Sequence, residues 1–286
     1  MPFLEARDLS KSFAAPKDAR HVLRGVSLSV DAGEFVSIVG SMGSGKSTLL
    51  SLLAGLTSPD RGTIVVDGEA LTGIRRDAAY VFQNYSLLPW FSALENVRLA
   101  VGATFPHLSR AEQRAKATET LERVGLGNAL SRRPAQLSGG MRQRVALARA
   151  FATQPRVLFL DEPFGALDAL TRETLQQDLA AMCRDGERSV TTIMITNSVE
   201  EAILLSDRII PILPGPPATL GVSIAVDLPR PRTTSLLAHD KQATQVRAHV
   251  VATLTASLKR PKVATPTTST AVVSGFSRTT PVEVTE

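Results

Sequence analysis

The sequence predicts an α/β protein. Short, continuous apolar runs such as FVSIVG (35–40), VLFLD (157–161) and VTTIMIT (190–196) alternate with longer stretches of helical periodicity. This is the pattern of strands buried on both faces and joined by helices. A chain of 286 residues, 43% hydrophobic and 21% charged, with a mean hydropathy of +0.06, has ample apolar material for a large core. Aromatics make up only 5%, so that core must be mainly aliphatic.

The elements follow in chain order. FVSIVG ends in glycine and leads into the helix-like STLLSLLAGL (47–56), and TIVVDG (63–68) and AAYVFQ (78–83) read as short strands. SRAEQRAKATETLERV (109–124) is a charged amphipathic helix, with Ser109 as N-cap and Glu112 three residues on, the spacing of a capping box. Further helices are expected from about Ser138 to Thr153 and over 168–184, the latter between strands 157–161 and 190–196. After Leu228 the composition shifts, and PRPR (229–232) opens an expected linker over 229–240. Val246, Val250, Leu254 and Leu258 then recur every four residues and predict one amphipathic helix over 241–258. That helix either packs on its own domain or lies on a membrane surface. Residues 259–286 are rich in Thr, Ser, Val and Pro without periodicity, and disorder is expected there.

Several classes are disfavoured. No run of 18 apolar residues exists to span a membrane. The first residues, MPFLEARDLSKSF, lack the basic, apolar and small-residue regions of a secretory signal. The single cysteine, Cys183, suits a reducing compartment and a packing role. The formal charge is +5, but residues 231–286 carry 7 of the 32 Lys+Arg and 3 of the 27 Asp+Glu. Most of the excess therefore lies in the tail, and no nucleic-acid partner is expected of the main body. His21, His107, His239 and His249 show no metal-ligand spacing.

GSMGSGKST (40–48) follows a strand and opens a helix, the context a phosphate-binding loop requires. Gly40, Ser41, Met42, Gly43, Ser44 and Gly45 would turn backbone N–H groups inward toward phosphate oxygens. Lys46 would reach the β- and γ-phosphates at the positive end of the helix dipole, followed by Ser47 and Thr48 in the first turn. The Ser47 hydroxyl is a suitable oxygen ligand for Mg²⁺. In VLFLDEP (157–163), Asp161 sits where it can hold Mg²⁺, and Glu162 where it can polarise an attacking water. ATP and Mg²⁺ are the expected ligands. LSGGMRQRVALARA (137–150) offers a second helix N-terminus suited to an anion, capped by Ser138 and left bare by Gly139 and Gly140. Two such ends on one chain are most simply used by a dimer, each serving the partner's nucleotide.

Phosphate loop, signature and acidic strand in this order resemble the ATP-binding subunits of ABC transporters, over residues 4–228. The resemblance implies a P-loop NTPase core (RecA-like), an antiparallel β subdomain and an inserted α-helical subdomain over about 84–150. It implies that Phe13 stacks on adenine, that Gln83 senses Mg²⁺ and the attacking water, and that Asp168 lies in a loop crossing the dimer interface. Taken singly, Phe13 could instead be a core aromatic and Gln83 an exposed strand-end residue. Trp90 and Phe91 could pack the subdomain or line a partner groove, and Arg142 and Arg144 could form a solvated helix face. The resemblance also implies transmembrane permease subunits and a second ATPase subunit as partners, in a homo- or heterodimer. An external solute-binding protein would act indirectly, and the chain would sit peripherally on the cytoplasmic face of the cell membrane.

In one place the sequence departs from the family. ITNSVEEAILLSDRI (195–209) matches the segment in which a histidine follows Ile-Thr and contacts the γ-phosphate, and Asn197 stands there. An amide can donate a hydrogen bond but carries no proton or positive charge. Either Asn197 keeps enough of the contact for hydrolysis, or the chain is a weakened, regulatory ATP-binding subunit. QNYSLLPWFSALENV (83–97) is similar to the nitrate, sulfonate and taurine importer group, and residues 206–232 are more similar to the nitrate- and nitrite-type subunits.

Overall fold

The computed structural model describes residues 2–14, 19–184, 189–215 and 217–258. The disorder expected over 259–286 lies outside these residues. Strands β1 (Leu4–Phe13) and β2 (Arg20–Val30) open the chain, followed by β3 (Phe35–Val39), helix α1 (Lys46–Leu53), β4 (Arg61–Val66), β5 (Glu69–Ala70) and β6 (Ala78–Val81). Helices α2 (Ala93–Thr104), α3 (Arg110–Arg123) and α4 (Gly139–Phe151) come next. The chain continues with β7 (Val157–Asp161), α5 (Ala169–Met182), β8 (Thr191–Thr196), α6 (Val199–Leu205) and β9 (Arg208–Leu213). Short strands β10 (Thr219–Leu220) and β11 (Ile224–Ala225) and helices α7 (Thr234–His239) and α8 (Lys241–Leu258) complete it.

Among the described residues these strands make two sheets. One is antiparallel in the order β2-β1-β4-β5. The other carries a parallel run β9-β3-β8-β7-β6, with β10 and β11 pairing antiparallel to β9. Every residue of β3, β7 and β8 is buried, as expected of unbroken apolar runs in a sheet covered on both faces. In β2, buried Val26, Leu28 and Val30 alternate with exposed Ser27 and Ser29, the period-two pattern of a sheet wet on one side.

Helices α2, α3 and α4 share a separate core of Leu94, Val97, Leu121, Val145 and Ala148. Capping boxes at Ser92–Glu95 and Ser109–Glu112 fix the starts of α2 and α3. Helix α4 also sends Ala146, Leu147 and Ala150 into the main core, so it ties the helical unit to the large sheet.

The expected linker is corrected by the structure. Within 229–240, residues Thr234–His239 form α7, and Arg232 and Leu237 are buried. PRPR reads as a linker by composition, but the Arg232 guanidinium is satisfied by backbone carbonyls that the rest of the domain supplies. Helix α8 buries Ala243, Val246 and Val250 in the main core, with Leu254 half-buried beside them, so its apolar stripe packs on the chain's own domain. No helix among the described residues is long and apolar enough to cross a membrane.

Candidate functional site

Parallel strands β3, β8, β7 and β6 lie side by side in that order, and the chain leaves each of them at the same edge of the sheet. The loop 40–45 and Lys46 follow β3, Asn197 follows β8, Asp161 and Glu162 end β7, and Gln83 follows β6. Ligands of open α/β sheets bind outside these carboxyl ends. The fold thus brings together residues scattered over more than 150 positions.

Within the loop, Gly45 takes φ +91° at the N-cap of α1, a left-handed conformation that a side chain rarely tolerates. Lys46 is buried, and its Nζ donates to the carbonyls of Gly40 and Ser41 at 3.0 Å each and to Asn197 Oδ1 at 2.6 Å. Glu162 Oε1 lies 3.3 Å from the same ammonium. Burial lowers the Lys46 pKa, and the Glu162 carboxylate partly opposes that shift.

On the acidic side, Ser47 donates its hydroxyl to Asp161 Oδ1 at 3.2 Å and Tyr80 donates to Asp161 Oδ2 at 3.3 Å. Burial raises the Asp161 carboxyl above its ordinary range despite both bonds. Gln83 Nε2 donates to Glu162 Oε2 at 3.3 Å. Glu162 itself has φ +45°, unusual for a residue with a side chain, and its N–H donates to the Ile195 carbonyl at 3.0 Å. A side chain held in that conformation is aimed by the backbone.

The residues fit a triphosphate and a hard cation. Ser44 Oγ is buried without a hydrogen-bond partner at the loop, an unmet polar atom where a phosphate oxygen would sit. Among the described residues no three His, Cys, Asp or Glu side chains converge as a metal cage. A hydroxyl beside one carboxylate, with the phosphates completing the shell, is how Mg²⁺ is usually held. Of the remaining loop residues, Ser41, Met42 and Gly43 are exposed and Thr48 lies in the first turn of α1.

Other expected site residues lie elsewhere. Phe13 ends β1 at 44% exposure, beneath Lys11 Nζ at 5.6 Å from the ring centroid, so it is no core aromatic. Ser138 caps α4 by accepting from the Met141 N–H at 3.2 Å, with Gly139 and Gly140 in the first turn. Asp168 caps α5 by accepting from the Thr171 N–H at 3.0 Å, which holds its carboxyl below the ordinary value. The signature and the 166–168 loop abut one another at Gly139. Among the described residues no hydrogen bond or ion pair joins the signature to loop 40–48.

Some residues carry more than sequence reasoning assigned. Arg142 donates to the Leu137 carbonyl at 2.8 Å and lies over the Tyr85 ring, while Arg144 pairs with Asp178 at 2.6 Å, so neither forms a merely solvated face. Arg149 donates to the Tyr85 and Ser86 carbonyls at 2.8 and 2.6 Å, which anchors the loop after Gln83 to α4. Glu201 is buried in α6, accepting from Thr196 Oγ1 at 2.6 Å. Tyr80 lies on a strand that the sheet sets beside that of Asp161, a pairing the sequence does not show, and Arg149 and Glu201 give no local signal. Trp90 is exposed, and Phe91 meets it edge-on. Cys183 is buried and its thiol is pushed up to about 11, in keeping with packing.

Comparisons with known proteins identify the family and the fold. The ABC transporter family model matches residues 23–165. The nitrate import ATP-binding protein NrtD of Synechococcus elongatus is 45% identical over 87% of this chain and 90% of that protein. The bicarbonate transport ATP-binding protein CmpC of the same organism is 44% identical over 87% of this chain, which spans only 37% of CmpC. Among solved structures, the dimeric ATP-binding cassette MJ0796, in a post-hydrolysis state bound to ADP and Pi, superposes with a TM-score of 0.71. It is 31% identical, over 79% of this chain and 99% of that one. With a family model covering half its length and a full-length relative at this identity, the chain belongs to the ABC transporter family and has the fold of its ATPase cassettes.

Proposed function

We propose that the chain is the ATP-hydrolysing subunit that energises import of a small oxyanion through separate transmembrane permease subunits. The observation that carries this reading is the convergence of Lys46, Ser47, Asp161, Glu162, Gln83 and Asn197 at the carboxyl ends of four neighbouring strands. The likeness to NrtD and CmpC supports nitrate or bicarbonate as the solute class. Nitrate leads, on the resemblance of residues 206–232 to nitrate-type subunits; sulfonate or taurine is the runner-up from the 83–97 segment. The proposed organisation is one cassette over 4–228, with its helical unit at about 84–150 and the C-terminal helices packed onto it.

In this reading ATP binds with its base on Phe13 and its phosphates in loop 40–48. Lys46 holds the β- and γ-phosphate oxygens, exchanging its contacts with Glu162 and Asn197 for them. Mg²⁺, held through Ser47 and Asp161, supplies charge neutralisation at the phosphate oxygens. Glu162 accepts a proton from the attacking water as its oxygen bonds to the γ-phosphorus and the bond to ADP breaks. Gln83 holds Glu162 and reports the state of the site to the helical unit through the loop that Arg149 anchors. Ser138, Gly139 and Gly140 close on the nucleotide of a second subunit, with Asp168 at the seam. The chain sits peripherally on the cytoplasmic face of the membrane, and an external solute-binding protein acts only through the permease.

The position of Asn197 beside Lys46, where the γ-phosphate would lie, favours a working ATPase over a purely regulatory subunit. The test is ATP turnover by the purified chain beside Glu162→Gln, with nucleotide binding measured on both. Turnover lost in the variant while binding persists supports the reading, and binding without turnover in the wild type returns the regulatory one. Uptake of labelled nitrate against bicarbonate by vesicles carrying the chain and its permease subunits then separates the solutes.

A further inference from the structure

Asn197 sits one residue before the N-cap of α6, so the placement of that seven-residue helix sets where its carboxamide meets Lys46. The C-terminal segment grips α6 at both ends. Arg232 is only 8% exposed. Its guanidinium donates to the carbonyls of Ile203 and Ser206 at 2.7 Å each, at the end of α6. It also donates to the carbonyls of Val226 at 2.8 Å and Leu228 at 3.0 Å. A cation among the last carbonyls of a helix satisfies orphan acceptors and complements the dipole. Arg230 adds a bond to the Leu205 carbonyl at 3.0 Å and pairs with Asp207 at 2.6 Å. At the other end, Arg247 of α8 lies 3.3 Å from Glu200 in the first turn of α6. Between them Ala243, Val246 and Val250 of α8 pack in the same core as Ile203, Leu204 and Leu205. All of these C-terminal residues lie outside the stretch that matches the family model.

We infer that residues 226–258 form a brace that fixes α6, the helix that begins just after Asn197, with Arg232 as its positioning residue. Charged donors satisfy four carbonyls from two segments at once, so Arg232 locks α6 to the segment that follows β11. A short helix held this way cannot slide along its axis without losing those bonds, and any such slide would carry Asn197 off Lys46. The kinetic consequence rests on the ATPase reading; the placement of Asn197 does not.

The test uses the full chain with ¹⁵N-labelled asparagine, the Asn197 carboxamide signal being assigned by its absence in Asn197→Ala. Arg232→Met is expected to shift or broaden that signal, and Arg247→Gln to do so less. The Asn96 carboxamide, bonded to Leu88, Phe91 and Ser92 carbonyls within the helical unit, is expected to stay in place as an internal control. In turnover, Arg232→Met is expected to lower kcat about tenfold, the scale of a sub-ångström misplacement, with KM for ATP nearly unchanged. Arg232→Lys should recover part of the loss, and in the Asn197→Ala background Arg232→Met should cost nothing further. An unmoved Asn197 signal in folded variants overturns the brace, as does an equal kcat loss with and without Asn197. If Arg232→Met does not fold, Arg247→Gln, at a half-exposed pair, carries the same comparison. If the wild type hydrolyses no ATP, the hydrolysis reading fails while the Asn197 signal still decides the brace.

Discussion

Lys46 Nζ donates to Asn197 Oδ1 at 2.6 Å, joining the ends of adjacent strands β3 and β8 across 151 positions of sequence. A histidine here would bring a titrating ring; asparagine brings a donor whose charge is the same at every pH.

Removing that amide should therefore affect the chemical step more than binding. Asn197→Ala is expected to lower kcat by about 10²-fold, the usual cost of one preorganised donor. Asn197→His is expected to retain turnover and to add a pH dependence near about 6.5 that the wild type lacks. Turnover profiles between pH 5.5 and 8.5 check both, and identical profiles for wild type and Asn197→His would show that position 197 takes no part in the reaction.

Tyr80 supports the metal side from behind. Its hydroxyl donates to Asp161 Oδ2 at 3.3 Å while Ser47 takes the other oxygen. Tyr80→Phe keeps the ring that stacks near Phe82 and Phe159 but frees the Asp161 carboxylate to rotate. The expected outcome is a rise of about tenfold in the Mg²⁺ concentration for half-maximal turnover, typical of losing a partner behind a metal ligand. Metal-free ATP binding should be unchanged, and titration calorimetry with and without Mg²⁺ separates the two effects.

Much of this site was legible in the sequence, because Gly-rich loop, acidic strand and signature each encode local backbone geometry. Lys46, Ser47, Asp161 and Glu162 could be placed from strand-then-loop context alone, and the parallel sheet then aligned them. Helix α2 carries the same Ser-x-x-Glu spacing at Ser92–Glu95 as α3 at Ser109–Glu112. What local sequence cannot give is a partner distant in the chain. Arg149, Arg232 and Glu201 look like surface charges in their own segments, and only folding supplies the carbonyls and hydroxyls that hold them. The linker expectation failed for the same reason, since PRPR is polar by composition but its second arginine is desolvated by backbone oxygens from α6.

Glu201 offers a pH test of this buried layer. Burial raises its pKa above the ordinary 4.5, more than the Thr196 hydroxyl and the Arg172 charge lower it. A carboxyl raised on folding binds its proton more tightly in the native state. Its favourable contribution is complete below the unfolded pKa and is lost as pH rises through the folded one. Glu201→Gln removes that titration but keeps an oxygen to accept from Thr196. Its Tm is expected to gain on the wild type as pH rises from about 4 through neutrality, flattening above the folded pKa. Calorimetric melts in half-unit pH steps check this, and a constant Tm difference across the range would exclude Glu201 as the titrating group.

The two glycines of the signature should part ways on substitution, because they face different things. A Cβ on Gly140 would collide with the Thr171 methyl of α5, whereas one on Gly139 would meet nothing nearer than Tyr85 Oη at 3.7 Å. Gly140→Ala therefore overpacks the α4–α5 contact and is expected to cost about 1–3 kcal/mol of stability. Thr171→Ser removes the offending methyl and should restore most of that loss in the double variant. Gly139→Ala should leave the unfolding free energy within about 1 kcal/mol of wild type, since helix propensity favours alanine and space is available. In the proposed dimer, however, Gly139 lies where a partner's phosphate approaches the bare helix end, so Gly139→Ala should lower turnover without lowering stability. Thermal melts and ATP turnover on the four proteins separate packing from phosphate contact. A Gly139→Ala chain as active as wild type would remove the signature helix from the reaction.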